Sequence, residues 1–179
     1  MKNSMPSNAS LAELPTLDEV RQEKARRSLS VFSTHMLGLV PARHHLFVNE
    51  KLEAVERGEI PRLMLFEPPG HAKSTYASHL FPAWYLGRNP ETSVIAASHT
   101  AQLATRFGRK VRNLFVSPDW PFEEVALAGD SRAADQWETT IGGEYFAVGV
   151  GGAVTGRRAD LAIIDDPRSP PVSSLDCTI

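Results

Sequence analysis

The chain has 179 residues, 42% of them hydrophobic and 22% charged, with a formal net charge of −2. That composition is ordinary for one globular domain with a sizeable core, and it excludes a polycation that coats nucleic acid through overall charge. The single Cys177 excludes an intramolecular disulfide and suits a reducing cytoplasm; no apolar run is long enough to span a bilayer.

Residues 1–15 are polar, carry Pro6 and Pro15, and read as a mobile tail without an apolar signal core. "TLDE" at 16–19 offers a capping box between Thr16 and Glu19, and a helix follows through "VRQEKARRSLSVFSTHML". A second amphipathic helix runs from about Ala42 to Arg57 and stops at Gly58, completing a helical segment over 16–60. "RLMLFE" (62–67) predicts a buried strand ending in a turn at Pro68-Pro69-Gly70. "KSTYASHLFPAWYLG" predicts a helix kinked at Pro82 and stopped at Gly87, and "SVIAAS" (93–98) a second buried strand. From Thr100, Leu103, Phe107, Val111 and Leu114 recur at helical spacing, with Arg106, Arg109, Lys110 and Arg112 largely off that stripe. "QWETTIGGEYFAVGVGG" predicts short strands joined at Gly142-Gly143, and "LAIIDD" (161–166) a third buried strand. This alternation predicts a parallel α/β sheet flanked by helices over 61–167. The proline- and serine-rich stretch 168–179 predicts no element.

"FEPPGHAKST" (66–75) holds the chemistry-bearing loop. A phosphate site needs inward N–H groups at a helix start, a lysine for β- and γ-phosphates and a hydroxyl for Mg²⁺. Gly70, His71, Ala72, Lys73, Ser74 and Thr75 form the candidate ATP-binding set, an irregular Walker A motif. Glu67 stands at the usual first-glycine position and Ala72 before the lysine, where positive φ strains an alanine. The plainer alternative is an ordinary strand-to-helix turn. The strand ending in Asp165 and Asp166 supplies a Walker B-like partner: Asp165, with Ser74, to hold Mg²⁺, and Asp166 as the catalytic carboxylate that orients water. Its plainer alternative is a solvated acidic turn.

"RLMLFEPPGHAKST", "FPAWYLGRNPETSVIAASHT", "LATRFGRKVRNLF" and "GGEYFAVGVGGAVTGRRADLAIIDDP" together resemble the N-terminal ATPase domain of the large terminase subunit of tailed bacteriophages, in order, from about Val40 to Pro167. The glycine-rich stretch before the acidic strand is the most distinctive piece. The resemblance implies a P-loop NTPase fold and ATP hydrolysis that drives viral double-stranded DNA into a procapsid, in the host cytoplasm, with a portal protein and a small terminase subunit as partners. It assigns Lys73, Ser74 and Thr75 to phosphates and Mg²⁺, Asp165 to the metal, and Asp166 to catalysis, where many relatives carry glutamate. It places "VPARHH" near the adenine, which makes His44 and His45 candidates. Arg157 and Arg158 are candidate arginine fingers, with Arg106 and Arg109 as others; solvated surface is the alternative for all four.

A full large terminase subunit continues into further sheet strands, a coupling motif and a nuclease domain. Here the pattern stops after Pro167, so the chain reads as an ATPase-domain fragment that binds ATP without packaging alone, with "RSPPVSSLDCTI" as out-of-frame sequence on a truncated prophage gene. Two other readings stay open: a non-enzymatic remnant or binding module, and another P-loop helicase or translocase, against which the glycine-rich segment argues. The basic residues 106–112 either touch DNA phosphates or are a solvated helix face.

Overall fold

The computed structural model describes residues 14–129 and 133–168, so the expectations for the two tails fall almost wholly outside it. The chain opens with α1 (Leu17–Arg27), α2 (Leu29–Leu37) and α3 (Arg43–Glu56). The expected capping box forms: Glu19 N–H donates to Thr16 Oγ1 at 3.2 Å, and Thr16 N–H to Glu19 Oε2 at 2.6 Å. The one long helix expected over 20–37 is two helices, broken at Ser28, which is extended at φ −138°. The cause is tertiary: Glu53 of α3 accepts from Leu29 N–H at 2.7 Å and so serves as the cap that α2 lacks locally.

After the loop, residues 75–80 wind as a π-helix, Thr75–Leu80, which passes into α4 (Phe81–Arg88). Phe81 N–H donates to Tyr76 O, five residues back, and Pro82 stands in the first turn of α4. The expected proline kink is thus a change of helix type, completed where proline removes a donor. Strand β1 (Ser93–Ser98), helix α5 (Ala101–Phe115), the short β2 (Gln136–Glu138), β3 (Glu144–Gly149) and β4 (Leu161–Asp165) complete the order.

Among the described residues the sheet has four strands in the order β2-β3-β1-β4, which puts β4 at an edge. β1 runs parallel to β3 and β4, with Ser98 opposite both Gly149 and Asp165; β2 and β3 form an antiparallel hairpin. The sheet is therefore mixed, and the parallel expectation holds for its three longer strands. Val94, Ala96, Tyr145, Ala147 and Leu161 share one buried face, in one core cluster with α4 and α5 residues such as Trp84 and Val111. α5 lies close on that face because Gly108 has no Cβ to collide with the Ala134 carbonyl. α1, α2 and α3 pack on the π-helix and α4.

Two expectations fail here for one reason. Residues 62–67 form no strand: Leu63 and Leu65 pack against the core, while Met64 is 76% and Phe66 85% exposed. β4 is an edge, and its burial alternates, with Ile164 68% exposed. A strand needs a ladder partner and a doubly buried strand needs cover on both faces. Among the described residues, 62–67 has no ladder partner, and Ala162 and Ile164 on the second face of β4 are exposed.

Candidate functional site at the loop and the acidic strand

Gly70 lies at φ 83° and Ala72 at φ 59°, so the backbone turns through two left-handed positions before the helix starts. Only glycine adopts such angles freely; Ala72 bears the strain that the sequence foreshadowed. Its methyl is half-buried against the core. Tyr76 N–H donates to Ala72 O at 3.1 Å, closing the first turn with Lys73 and Ser74 inside it.

The start of α3 braces this loop. Ala42 N–H donates to His45 Nδ1 at 3.2 Å, which makes His45 Nε2 the protonated nitrogen of a neutral ring; it donates to the His71 carbonyl at 3.1 Å. The same ring lies 4.5 Å from Tyr76 and 3.9 Å from His44, and His44 is 5.6 Å from His71. His44 and His45 therefore stand beside the loop, and His45 holds it through Nε2 while its Nδ1 caps α3.

Lys73 meets the acidic strand end. Its Nζ donates to Asp166 Oδ1 at 2.8 Å and lies 4.0 Å from Asp165 Oδ1. The bond to Asp166 holds the ammonium above the usual lysine range, with Asp165 and Glu67 adding in the same direction against partial burial. Asp165 is 8% exposed; its Oδ2 accepts from Ser78 Oγ at 2.9 Å, and its carbonyl accepts from Ser98 Oγ at 3.0 Å. Asp166 sits just beyond β4 at φ 43°, with its side chain 65% exposed. Glu67 Oε2 is buried without a hydrogen-bond partner among the described residues.

Residues 64–174 match the family model described as terminase large subunit, T4likevirus-type, N-terminal. The chain belongs to that family. No curated protein and no solved structure matches it. Membership makes this a DNA-packaging terminase segment. The matched span of the terminase chain takes in the loop from Gly70 to Thr75, both aspartates and the glycine-rich coil, and it continues past Pro167. No helix among its described residues is long and apolar enough to cross a membrane.

Arg157 and Arg158 lie at the opposite strand ends from this terminase site. Arg157 lies 3.8 Å from the Phe146 ring centroid and donates to Gln136 Oε1 at 3.1 Å, on the bare face of the sheet. With Arg158 it lines a groove beside Ser93 and Glu144, the first residues of β1 and β3, whereas Asp165 is the last residue of β4. Arg106 and Arg109 are exposed on α5. Ser78, Ser98 and the His45 brace were not singled out from sequence. Ser78 follows Ser74 at helical spacing, which is a signal; Ser98 and His45 act through contacts distant in sequence.

Proposed function

We propose that this terminase domain binds ATP with Mg²⁺ in the 67–75 loop and serves as the ATPase module of the packaging motor. The observation that carries the reading is the Lys73 ammonium, joined at 2.8 Å to Asp166 at the end of a strand from the first turn of a helix. A helix start and a lysine supply the N–H groups and positive charge that phosphate binding requires, and a strand-end carboxylate suits the Mg²⁺ that accompanies the phosphates. The N–H groups from Gly70 to Thr75 take the phosphate oxygens, and Lys73 exchanges Asp166 for the β- and γ-phosphates.

Among the described residues there is no cluster of three or more side chains able to cage a metal. Mg²⁺ binds through one or two carboxylates with phosphate oxygens and water. Ser74 and Asp165 are the residues that would hold it. When bound, Mg²⁺ neutralises charge on the phosphate oxygens. Asp166, released from Lys73, orients a water in line with the γ-phosphorus. The water forms a new P–O bond as the bond to the β–γ bridging oxygen breaks. ADP and inorganic phosphate leave, and the water's proton passes through Asp166 to solvent. Double-stranded viral DNA, a portal protein and a small terminase subunit are the proposed partners, and an arginine from outside this site supplies transition-state charge.

Thermal unfolding with and without Mg-ATP tests the reading. At a ligand concentration near 100 times Kd, binding stabilises the fold by about 2.7 kcal/mol. The wild type gains this stabilisation and Lys73→Ala loses it. A wild-type transition indifferent to Mg-ATP refutes the proposal.

A further inference from the structure

We infer that Ser78 is a positioning residue that divides the Asp165 carboxylate between the protein and the metal. The inference rests on the phosphate-loop reading above. Ser78 is 3% exposed and its Oγ donates to Asp165 Oδ2 at 2.9 Å. The other oxygen, Oδ1, is the one that faces Lys73, 4.0 Å away. One oxygen is thus anchored inside the fold and one is presented to the loop. Ser98 fixes the backbone of the same residue by donating to its carbonyl at 3.0 Å. The carboxylate has little freedom left to turn.

The π-helix gives this bond its rigidity. Ser78 lies in the middle of Thr75–Leu80, where the wider turn carries Phe81 N–H to the Tyr76 carbonyl. π-turns within helices recur at functional sites. Here the π-turn joins the loop residue Ser74 directly to the element that holds Ser78, so a displacement of the loop is felt at Asp165 through one short helix. Without the Ser78 hydroxyl, Oδ2 is a buried charge with no anchor in place. The carboxylate then rotates toward Lys73, where it competes with Asp166 for the ammonium and no longer offers a preset oxygen to Mg²⁺.

The test measures the affinity of a non-hydrolysable ATP analogue in EDTA and in excess Mg²⁺ by calorimetry, with thermal unfolding alongside. Ser78→Cys is close in size and only a weak donor. Ser78→Thr keeps the hydroxyl and adds one methyl beside the small cavity that Ser78 lines with Ala96, Ala104 and Phe107. Loss of a hydrogen bond to a charged group predicts that S78C forfeits about fivefold or more of the Mg²⁺ enhancement while its affinity in EDTA stays within about twofold. S78T restores the enhancement. A purely structural role lowers the unfolding temperature and both affinities together, and that pattern overturns the inference. So does an S78C enhancement equal to wild type. Lys73→Ala separates the two readings: if wild type and K73A both fail to bind the analogue, the phosphate-loop reading falls and takes this one with it. If K73A alone fails while S78C behaves as wild type, only the role of Ser78 is lost.

Discussion

The two faces of the sheet are built to different standards. On one face Val94, Tyr145 and Leu161 are buried in one core cluster with Trp84 of α4 and Val111 of α5. On the other, Phe146 is half-buried with the Arg157 side chain over its ring, and Ile164 stands 68% exposed. The site lies where these regimes meet. Asp165 points to the packed face and is anchored by Ser78; Asp166, the next residue, has left the strand and reaches Lys73 from solvent. A packed environment fixes one carboxylate, and an open one leaves the other free to change partners.

The largest expected effect lies on the packed face. Trp84 is 1% exposed and its indole N–H donates to the Ala25 carbonyl at 3.1 Å, tying α4 to α1. Trp84→Ala removes that bond and opens a cavity, with an expected loss of about 3–5 kcal/mol in chemical denaturation. A loss below about 1 kcal/mol would show this face to be as loose as the other.

Next comes acid sensitivity. His79 of the π-helix is driven down to about 4, first by burial and then by the Lys110 charge, although its ring donates to the Lys110 carbonyl. The unfolded chain binds this proton near pH 6.5 and the folded chain only near 4. Stability from this group is therefore full above pH 6.5 and falls as the pH drops toward 4. The complete loss is about 3 kcal/mol at 1.36 kcal/mol per pH unit. Urea midpoints between pH 7 and pH 4 measure it, and His79→Gln flattens that part of the profile. An unchanged profile in His79→Gln would assign the acid sensitivity to other groups.

The loop gives a smaller effect of opposite sign. Ala72 at φ 59° carries left-handed strain, which Ala72→Gly relieves at the cost of a freer unfolded chain. The expected net gain is about 1 kcal/mol or less in denaturation midpoint. A destabilised A72G would mean that the half-buried methyl contributes more than the strain costs.

That the loop and the acidic strand end belong together was legible in the sequence because each half is local. Gly70, Ala72, Lys73 and Ser74 lie within one turn, and the aspartates end one strand. What escaped depends on partners distant along the chain. The break at Ser28 is set by Glu53 on another helix. The apolar content of 62–67 predicts a strand, yet a strand exists only where a neighbour completes its ladder, and β4 stands at the edge of the sheet. The same apolar content in "LAIIDD" predicts burial on both faces, whereas the coil 150–160 covers the second face only in part. The π-turn over Thr75–Leu80 runs on into α4 and has no sequence signature of its own.

The smallest expected effect tests the comparison most directly. Ile164 and Ile163 are neighbours on one strand with opposite surroundings: Ile163 packs toward Ala96 and Phe107, and Ile164 faces outward. Ile163→Ala deletes methylenes from a packed site and is expected to cost about 2 kcal/mol or more. Ile164→Lys places a charge on an exposed edge strand, which is expected to change stability by no more than about 0.5 kcal/mol. It should also lower light scattering at high protein concentration, because edge charges oppose strand-to-strand pairing. If Ile164→Lys instead destabilises as strongly as Ile163→Ala, and does so in proportion to protein concentration, the outer face is buried between chains in solution. The two faces would then be equally packed, one by the chain's own helices and the other by association.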